Sequence, residues 1–263
     1  MVVKQEILKL YKNRGETPLE CILRFKKDNP EYKDEKMTYA GRLDPLAEGL
    51  LLVLVGGECK NKEKYLAFDK EYKVDVLFGF ARDTYDILGK VTQTSKCESL
   101  DCNDGLAYSD IKKFQLVFND VKTFIAKFNQ KYPPFSSKTI KGKSLFSLFK
   151  RGELKDEEIP EKEVEIKDIK INGGRSISKI ELEKYVNDSV KLVNGDFRQR
   201  EILEIWEKSL NATKQNSFMI ISLVVDCTSG TYMRSLANSI GEKVGIPALA
   251  LNIKRTRVGE YKI

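Results

Sequence analysis

Histidine is absent from all 263 residues, so no imidazole is available as general base, proton shuttle or metal ligand, the roles it most often fills near neutral pH. The five cysteines, Cys21, Cys59, Cys97, Cys102 and Cys227, are odd in number and scattered. That pattern suits a reducing compartment better than a disulfide framework. Cys97 and Cys102 lie close together, but with no histidine and no second cysteine pair a zinc site is not expected. No apolar run reaches bilayer-spanning length, and Met1-Val2-Val3-Lys4-Gln5-Glu6 carries no apolar signal region. Neither secretion nor membrane insertion is therefore indicated, and a cytoplasmic location is expected. Internal repeats, low-complexity tracts, metal clusters and glycine-rich phosphate loops are also missing, so no cofactor and no metal is expected.

What remains is a chain 41% hydrophobic, long enough for a large core and read as one domain over residues 1–263, with a monomer expected and no protein partner implied. Its net charge of +7 is mostly an ordinary solvated surface. The local balance says more. From Lys131 to Arg151 there are six basic side chains and no acidic one, interleaved with Tyr132, Phe135, Phe146 and Phe149. Basic groups attract phosphates and aromatic rings stack on unpaired bases, which makes 131–160 a candidate RNA-contacting arm. The same stretch also reads as an amphipathic helix from Lys143, with Leu145, Leu148 and Phe149 facing the core and Gly152 ending it; both readings can hold.

Periodicity supplies a coarse map. Val74, Val76, Phe78 and Phe80 alternate with Lys73, Asp75 and Leu77, predicting a strand over Tyr72 to Phe80, followed by a polar loop from Asp83 to Asp104. Ile111, Phe114, Phe118, Val121 and Ile125 recur at helical spacing and predict a helix starting near Ser109. Val164 to Ile171 alternates strictly and predicts a strand closed by a turn at Asn172-Gly173-Gly174. Between that turn and a strand from Ser217 to Asp226, the charged segment 172–216 reads as two helices, Ser178 to Val193 and Phe197 to Leu210. A solvated helical hairpin is favoured there over an additional RNA-binding element. A last helix carries Met233, Leu236, Ala237, Ile240 and Val244 on one face and ends at Gly245, with Arg234 leaving by another face. Strands divided by helices and long loops indicate α+β, with a mixed and mostly antiparallel central sheet.

The chemistry concentrates in Gly41-Arg42-Leu43-Asp44-Pro45-Leu46-Ala47-Glu48-Gly49, one carboxylate between two glycines, running into the apolar Leu50 to Val55. Glycine allows conformations and close approaches that a Cβ blocks, and a buried strand after the loop would hold it rigid. By itself Asp44-Pro45 also reads as a helix start, with Asp44 as cap and Pro45 in the first turn. Further segments follow in order: Lys70-Glu71-Tyr72, Asp83-Thr84-Tyr85-Asp86-Ile87-Leu88-Gly89, Tyr132-Pro133-Pro134-Phe135-Ser136-Ser137-Lys138, Gly230-Thr231-Tyr232-Met233-Arg234, and Arg255-Thr256-Arg257-Val258-Gly259. Taken together they resemble the TruB family of tRNA pseudouridine synthases across residues 12 to 261. The chain departs from that pattern at Tyr39, where the family carries histidine, and at Asn13, where it carries proline. Ending at Ile263, it is expected to lack the C-terminal RNA-binding (PUA) domain that many relatives append.

The resemblance implies the pseudouridine synthase fold and isomerisation of a T-loop uridine of tRNA, position 55, without cofactor or guide RNA. It casts Asp44 as the working carboxylate, Arg234 as the cation that grips it in a bidentate fork, and Tyr72 as the ring that stacks on the target uracil. Arginine suits the gripping role because its planar fork matches a carboxylate. The resemblance further implies RNA contacts from Tyr39, Arg42, Asp86, Lys138, Lys141, Lys143, Tyr232 and Arg255. The target base must be flipped out of its stack, and Tyr39 or Arg42 stands where relatives use their histidine for this. Whether Asp44 attacks the sugar, attacks the base or assists elimination is left open by sequence. Other readings are an RNA-binding or RNA-folding protein of the same fold with weak or no catalysis, and a synthase with another RNA target.

Overall fold

The structure, a computed structural model, describes residues 5–94, 117, 119–133, 135–136, 138–140, 142–153 and 159–263. Its strands are β1 (Ile7–Lys12), β2 (Met37–Tyr39), β3 (Glu48–Val55), β4 (Lys70–Phe78), β5 (Phe80–Arg82), β6 (Val91–Thr94) and β7 (Lys127–Lys131). They continue with β8 (Thr139–Ile140), β9 (Lys143–Ser144), β10 (Glu161–Ser178), β11 (Ser217–Cys227), β12 (Ala248–Val258) and β13 (Tyr261–Lys262). Nine of them form one sheet in the order β1-β3-β12-β4-β11-β10-β7, with β2 beside β3 and β13 beside β12. Every neighbouring pair is antiparallel except β3 with β12. This is the mixed, mostly antiparallel α+β sheet read from the sequence.

Helices cover both faces of the sheet. Val74, Val76 and Phe78 of β4 and Ile221, Leu223 and Val225 of β11 point to one face, where Met233, Leu236, Ala237 and Ile240 of the helix Met233–Val244 meet them. Leu77, Phe218, Ile220 and Leu249 point to the other. There Leu182, Val186 and Val190 of the helix Lys179–Lys191 and Ile202, Trp206 and Leu210 of the helix Gln199–Ala212 close a second core. The hairpin is thus no solvated projection, because its apolar stripes seal a sheet face that would otherwise lie in water. A capping box starts its first helix, with the Ser178 hydroxyl accepting the Glu181 amide and Glu181 accepting the Ser178 amide.

Several local expectations are corrected. The strand expected over Tyr72 to Phe80 breaks at Gly79, whose φ of +116° turns the chain so that β5 leaves the sheet to pair with β6. Asn172-Gly173-Gly174 does not end β10, since β10 continues to Ser178 in register with β11 and accommodates these residues as a register shift between Ile171 and Gly174. Helix therefore begins at Lys179. Asp83 to Gly89 is no solvated loop: Thr84, Asp86, Ile87 and Leu88 are buried. Residues 119–122 are helical, whereas Ser109, Ile111, Phe114 and Phe118 of the helix expected there lie outside the described residues, as do Lys141, Cys97 and Cys102. The arm includes a short helix, Leu145–Lys150, with Ser144 as its cap. Among the described residues no helix is long and apolar enough to cross a membrane.

Candidate active site

Asp44 stands in an irregular loop between β2 and β3, and no helix starts at Pro45. Three buried features hold the loop. The Lys12 ammonium donates to the carbonyls of Asn13, Pro45 and Ala47 at 3.1, 3.0 and 2.6 Å. Arg255 donates to Leu50, Gly41 and Arg42 carbonyls at 2.8, 3.2 and 3.4 Å. Gly49 has a φ of +106°, and a Cβ there would lie 2.3 Å from the Arg255 carbonyl oxygen, so glycine is what lets β12 run alongside β3. The close approach that Gly49 serves is made by the chain's own strand.

Arg234 reaches this loop from the first turn of the Met233–Val244 helix. Gln130 of β7 fixes that helix start by accepting the Tyr232 amide at 2.7 Å and donating to its carbonyl at 3.1 Å. The Arg234 side chain is 4% exposed and Asp44 33%, so the guanidinium is enclosed while the carboxylate keeps one side open. Arg234 Nε donates to Asp44 Oδ2 at 2.8 Å, Nη1 to the Thr84 carbonyl at 2.9 Å and Nη2 to the Phe135 carbonyl at 3.3 Å. The bidentate fork expected from sequence is thus replaced by one bond to Asp44, because two backbone carbonyls each engage one of the terminal nitrogens. Asp86 Oδ2 lies 3.7 Å from Arg234 Nε, and its other oxygen, Oδ1, fixes the carboxylate by accepting the Thr84 hydroxyl at 2.6 Å and the Leu88 amide at 3.0 Å. Burial raises the Asp86 carboxyl pKa, with Arg234 opposing. Burial alone would lower that of Arg234, but Asp44 and Asp86 hold it above its ordinary value.

These groups share a pocket enclosing about 520 Å³, its open mouth included. Asp44, Asp86 and Arg234 provide its charged side, and Pro45, Leu88, Phe135 and Phe146 its apolar walls. Asp196, Phe197 and Arg198, from the turn of the helical hairpin, complete it. The pocket thus sets a partly open carboxylate beside aromatic and apolar surface.

The remaining candidates fall into three settings. Tyr72 is 9% exposed and packs in the core with Leu43 and Ala47 rather than lining the pocket; burial pushes its phenol pKa up, Arg255 opposing. Arg255, expected to touch RNA, is buried and spends its donors on the Asp44 loop, which corrects that expectation. Asp86 is likewise a buried partner of Arg234 inside the pocket, not a surface contact. Outside the pocket lining, exposed Arg42 donates to the Tyr39 hydroxyl at 3.3 Å, and the Tyr232 ring meets Tyr132 edge-on at 5.5 Å. Lys138 is exposed, its ammonium over the Tyr132 ring at 5.3 Å, and exposed Lys143 pairs with Glu153 at 3.3 Å. Lys12, Gln130, Thr84, Phe197 and Arg198 were not among the expected site residues; of these, Thr84, inside the Asp83 to Gly89 motif, and Lys12, beside the Asn13 position, carried a signal.

Residues 29–188 match the model of the TruB family pseudouridylate synthase N-terminal domain. The chain belongs to the TruB family. Among TruB relatives, tRNA pseudouridine synthase B of Aquifex aeolicus is 29% identical over 96% of this chain and 68% of its own length. The protein of that name from Thermosipho melanesiensis is 26% identical over 97% and 64%. The chain thus spans about two thirds of these relatives. Among solved structures, a Cbf5-Nop10-Gar1 complex aligns with a TM-score of 0.53 at 17% identity, covering 97% of this chain and 49% of the matched one. An H/ACA RNP bound to a substrate RNA containing 2'-deoxyuridine aligns at 0.51 and 16%, covering 97% and 48%. At such identities these likenesses establish the fold, that of TruB-type pseudouridine synthases.

Proposed function

We propose that this TruB-family chain is a tRNA pseudouridine synthase that converts the T-loop uridine at position 55, working as a cytoplasmic monomer. The observation carrying the reading is a half-open carboxylate, Asp44, fixed by an enclosed arginine at the mouth of an aromatic-walled pocket. Pseudouridine formation breaks the bond between N1 of uracil and C1′ of ribose, turns the base and rejoins it through C5, which gives up its proton to a base or to water while N1 takes one up. No electrons are gained or lost overall, so a carboxylate acting on the sugar or the base is sufficient chemistry.

In this reading the extruded uracil enters between Pro45, Leu88 and the Phe135 and Phe146 rings, and the open face of Asp44 meets the ribose or the base. Arg234 compensates the carboxylate charge where RNA excludes water. Removing it from a desolvated pair costs on the order of 3 to 5 kcal/mol. Tyr72 lies behind the Asp44 loop, so stacking on uracil requires RNA to open the packing around its ring. Tyr39 and Arg42 take the place of the family's histidine in holding the flipped-out strand, while Tyr232, Lys138 and Lys143 line its path along the arm.

The test is pseudouridine mapping on unmodified tRNA treated with the wild type and with Asp44→Asn. Conversion of the T-loop uridine by the wild type alone supports the reading. Retention of RNA without conversion by either protein replaces it with a non-catalytic RNA-binding role, and conversion elsewhere reassigns the target.

A further inference from the structure

The hairpin turn brings two side chains to the pocket that the catalytic reading leaves unused. Phe197 and Arg198 border the same space as Asp44. Arg198 Nη1 pairs with Asp83 Oδ2 at 3.2 Å, both side chains being largely enclosed at 19% and 11% exposure. The Arg198 guanidinium also lies 4.4 Å from the centre of the Phe135 ring. Asp83 precedes Thr84 and is itself held by accepting the Lys90 amide at 2.7 Å. Thr84 and Phe135 are the residues whose carbonyls take the two terminal nitrogens of Arg234. One guanidinium therefore bridges the two segments from which another is hung.

The backbone gives an independent indication. Among the described residues, only Tyr85 and Arg198 combine a side chain with a positive φ, of +62° and +61°. Both adjoin this pocket. A left-handed conformation favours glycine or asparagine, and a long side chain kept there costs on the order of 1 kcal/mol or more unless the surroundings enforce it. The hairpin supplies that enforcement. Trp206 donates to the Ile87 carbonyl at 3.2 Å, and the buried Arg82 lies over its ring at 3.2 Å, so the second hairpin helix is fastened to the Asp83–Gly89 loop.

We propose that the turn of the helical hairpin is a working part of the active site, in which Arg198 is a positioning residue: bridging Asp83 and Phe135, it holds the two carbonyls that aim Arg234 at Asp44. The proposal rests on the reading of Asp44 as the reacting carboxylate, and it makes a segment with no counterpart in the quoted motifs a determinant of the reaction. Arg198 differs in kind from Arg234. It acts through the position of another group, and its loss both lets Arg234 swing and takes the paired cation from the largely enclosed Asp83 carboxylate.

The experiment compares wild type, Arg198→Ala and Arg198→Lys by kcat and KM on unmodified tRNA, thermal melting, and NMR exchange of the Arg234 Nε–H in the RNA-free protein. Misplacing a reacting group by an ångström costs about 100-fold, so Arg198→Ala is expected to lose about 10- to 100-fold, mainly in kcat. Its melting should fall as Asp83 loses its cation, but the loss in kcat should exceed what the folded fraction accounts for, and Arg234 Nε–H should exchange faster. Lysine keeps the charge for Asp83 but has no plane to lay on Phe135, so Arg198→Lys should recover part of both readouts. Unchanged kcat with unchanged Arg234 exchange would overturn the proposal, as would equal losses in both variants that simply follow the folded fraction. Should the wild type make no pseudouridine, the proposed activity fails, and the Arg234 exchange still decides the bridge.

Discussion

The two faces of the central sheet are covered by helices of different kinds. One cover, Met233–Val244, brings Arg234 directly to Asp44. The other, the hairpin Lys179–Ala212, sends no side chain to that carboxylate among the bonds observed, yet its turn walls the same pocket. Both bury comparable apolar stripes against the sheet. The difference teaches that burial and pocket-building are separable jobs here: one helix gives buried side chains to both, while the hairpin stabilises with its faces and shapes the pocket with its turn.

The sharpest break in the comparison is at the carboxylate. Asp44→Asn should lower pseudouridine formation by about 10²- to 10⁴-fold with melting little changed, since proton-transfer and nucleophilic groups contribute at that scale. A variant within tenfold of wild type would move the reaction off Asp44. Next comes the hairpin core. Trp206→Ala should cost about 3 to 5 kcal/mol and Leu236→Ala on the opposite face about 2 to 5 kcal/mol, both measured by denaturant unfolding. A loss below about 1 kcal/mol at Trp206 would make the hairpin a dispensable layer, inconsistent with its 2% exposure and its bond to Ile87.

A subtler contrast lies under the Asp44 loop. Burial lowers the pKa of Lys12 from 10.5 to about 8. The folded state thus releases this proton before the unfolded chain does. Between pH 8 and 10.5 the unfolded state binds more protons, so the Lys12 contribution to stability rises through that window and is lost as pH falls back through 8. Lys70 has the same direction and about the same value. Subtracting the pH–stability curve of Lys12→Met from that of wild type should leave a rise across the window. A flat difference would show that Lys12 stays charged against its three carbonyls. The smallest effects belong to the arm. Lys138→Ala and Lys143→Ala should shift stability by no more than about 0.5 kcal/mol. Each should lower the salt slope of tRNA retention by about 1 if it touches a phosphate.

The Asp44–Arg234 pair was legible in the sequence because Gly41 to Gly49 and Gly230 to Arg234 are contiguous motifs, and the hairpin helices were legible because their apolar residues repeat at helical spacing. What the hairpin covers was not. Leu77 occupies the outward register of β4, where Lys73 and Asp75 had suggested solvent, and that single apolar residue was the trace of a second core. Arg255 looked like a phosphate contact since charge alone does not reveal burial; its partners, the Gly41, Arg42 and Leu50 carbonyls, are about two hundred positions away. Arg198 was invisible for the same reason, because its meaning lies in Asp83 and Phe135, which the chain brings to it only in space. The expected turn at Asn172-Gly173-Gly174 failed since a register shift and a turn favour the same residues.

The parallel contact between β3 and β12 has a consequence in time. It pairs Glu48 with Lys254 and Gly49 with Arg255, so the loop carrying Asp44 acquires its brace from a strand made some two hundred residues later. Contacts of such long sequence separation form slowly, because the intervening chain must first be closed into a loop. On the ribosome, a nascent chain that already displays Gly41 to Gly49 therefore lacks Arg255 under it and Arg234 beside it. Catalytic competence should arrive in a single late step, when the last long strand inserts between β3 and β4, and partial chains should remain unreactive toward RNA however well their N-terminal strands have formed.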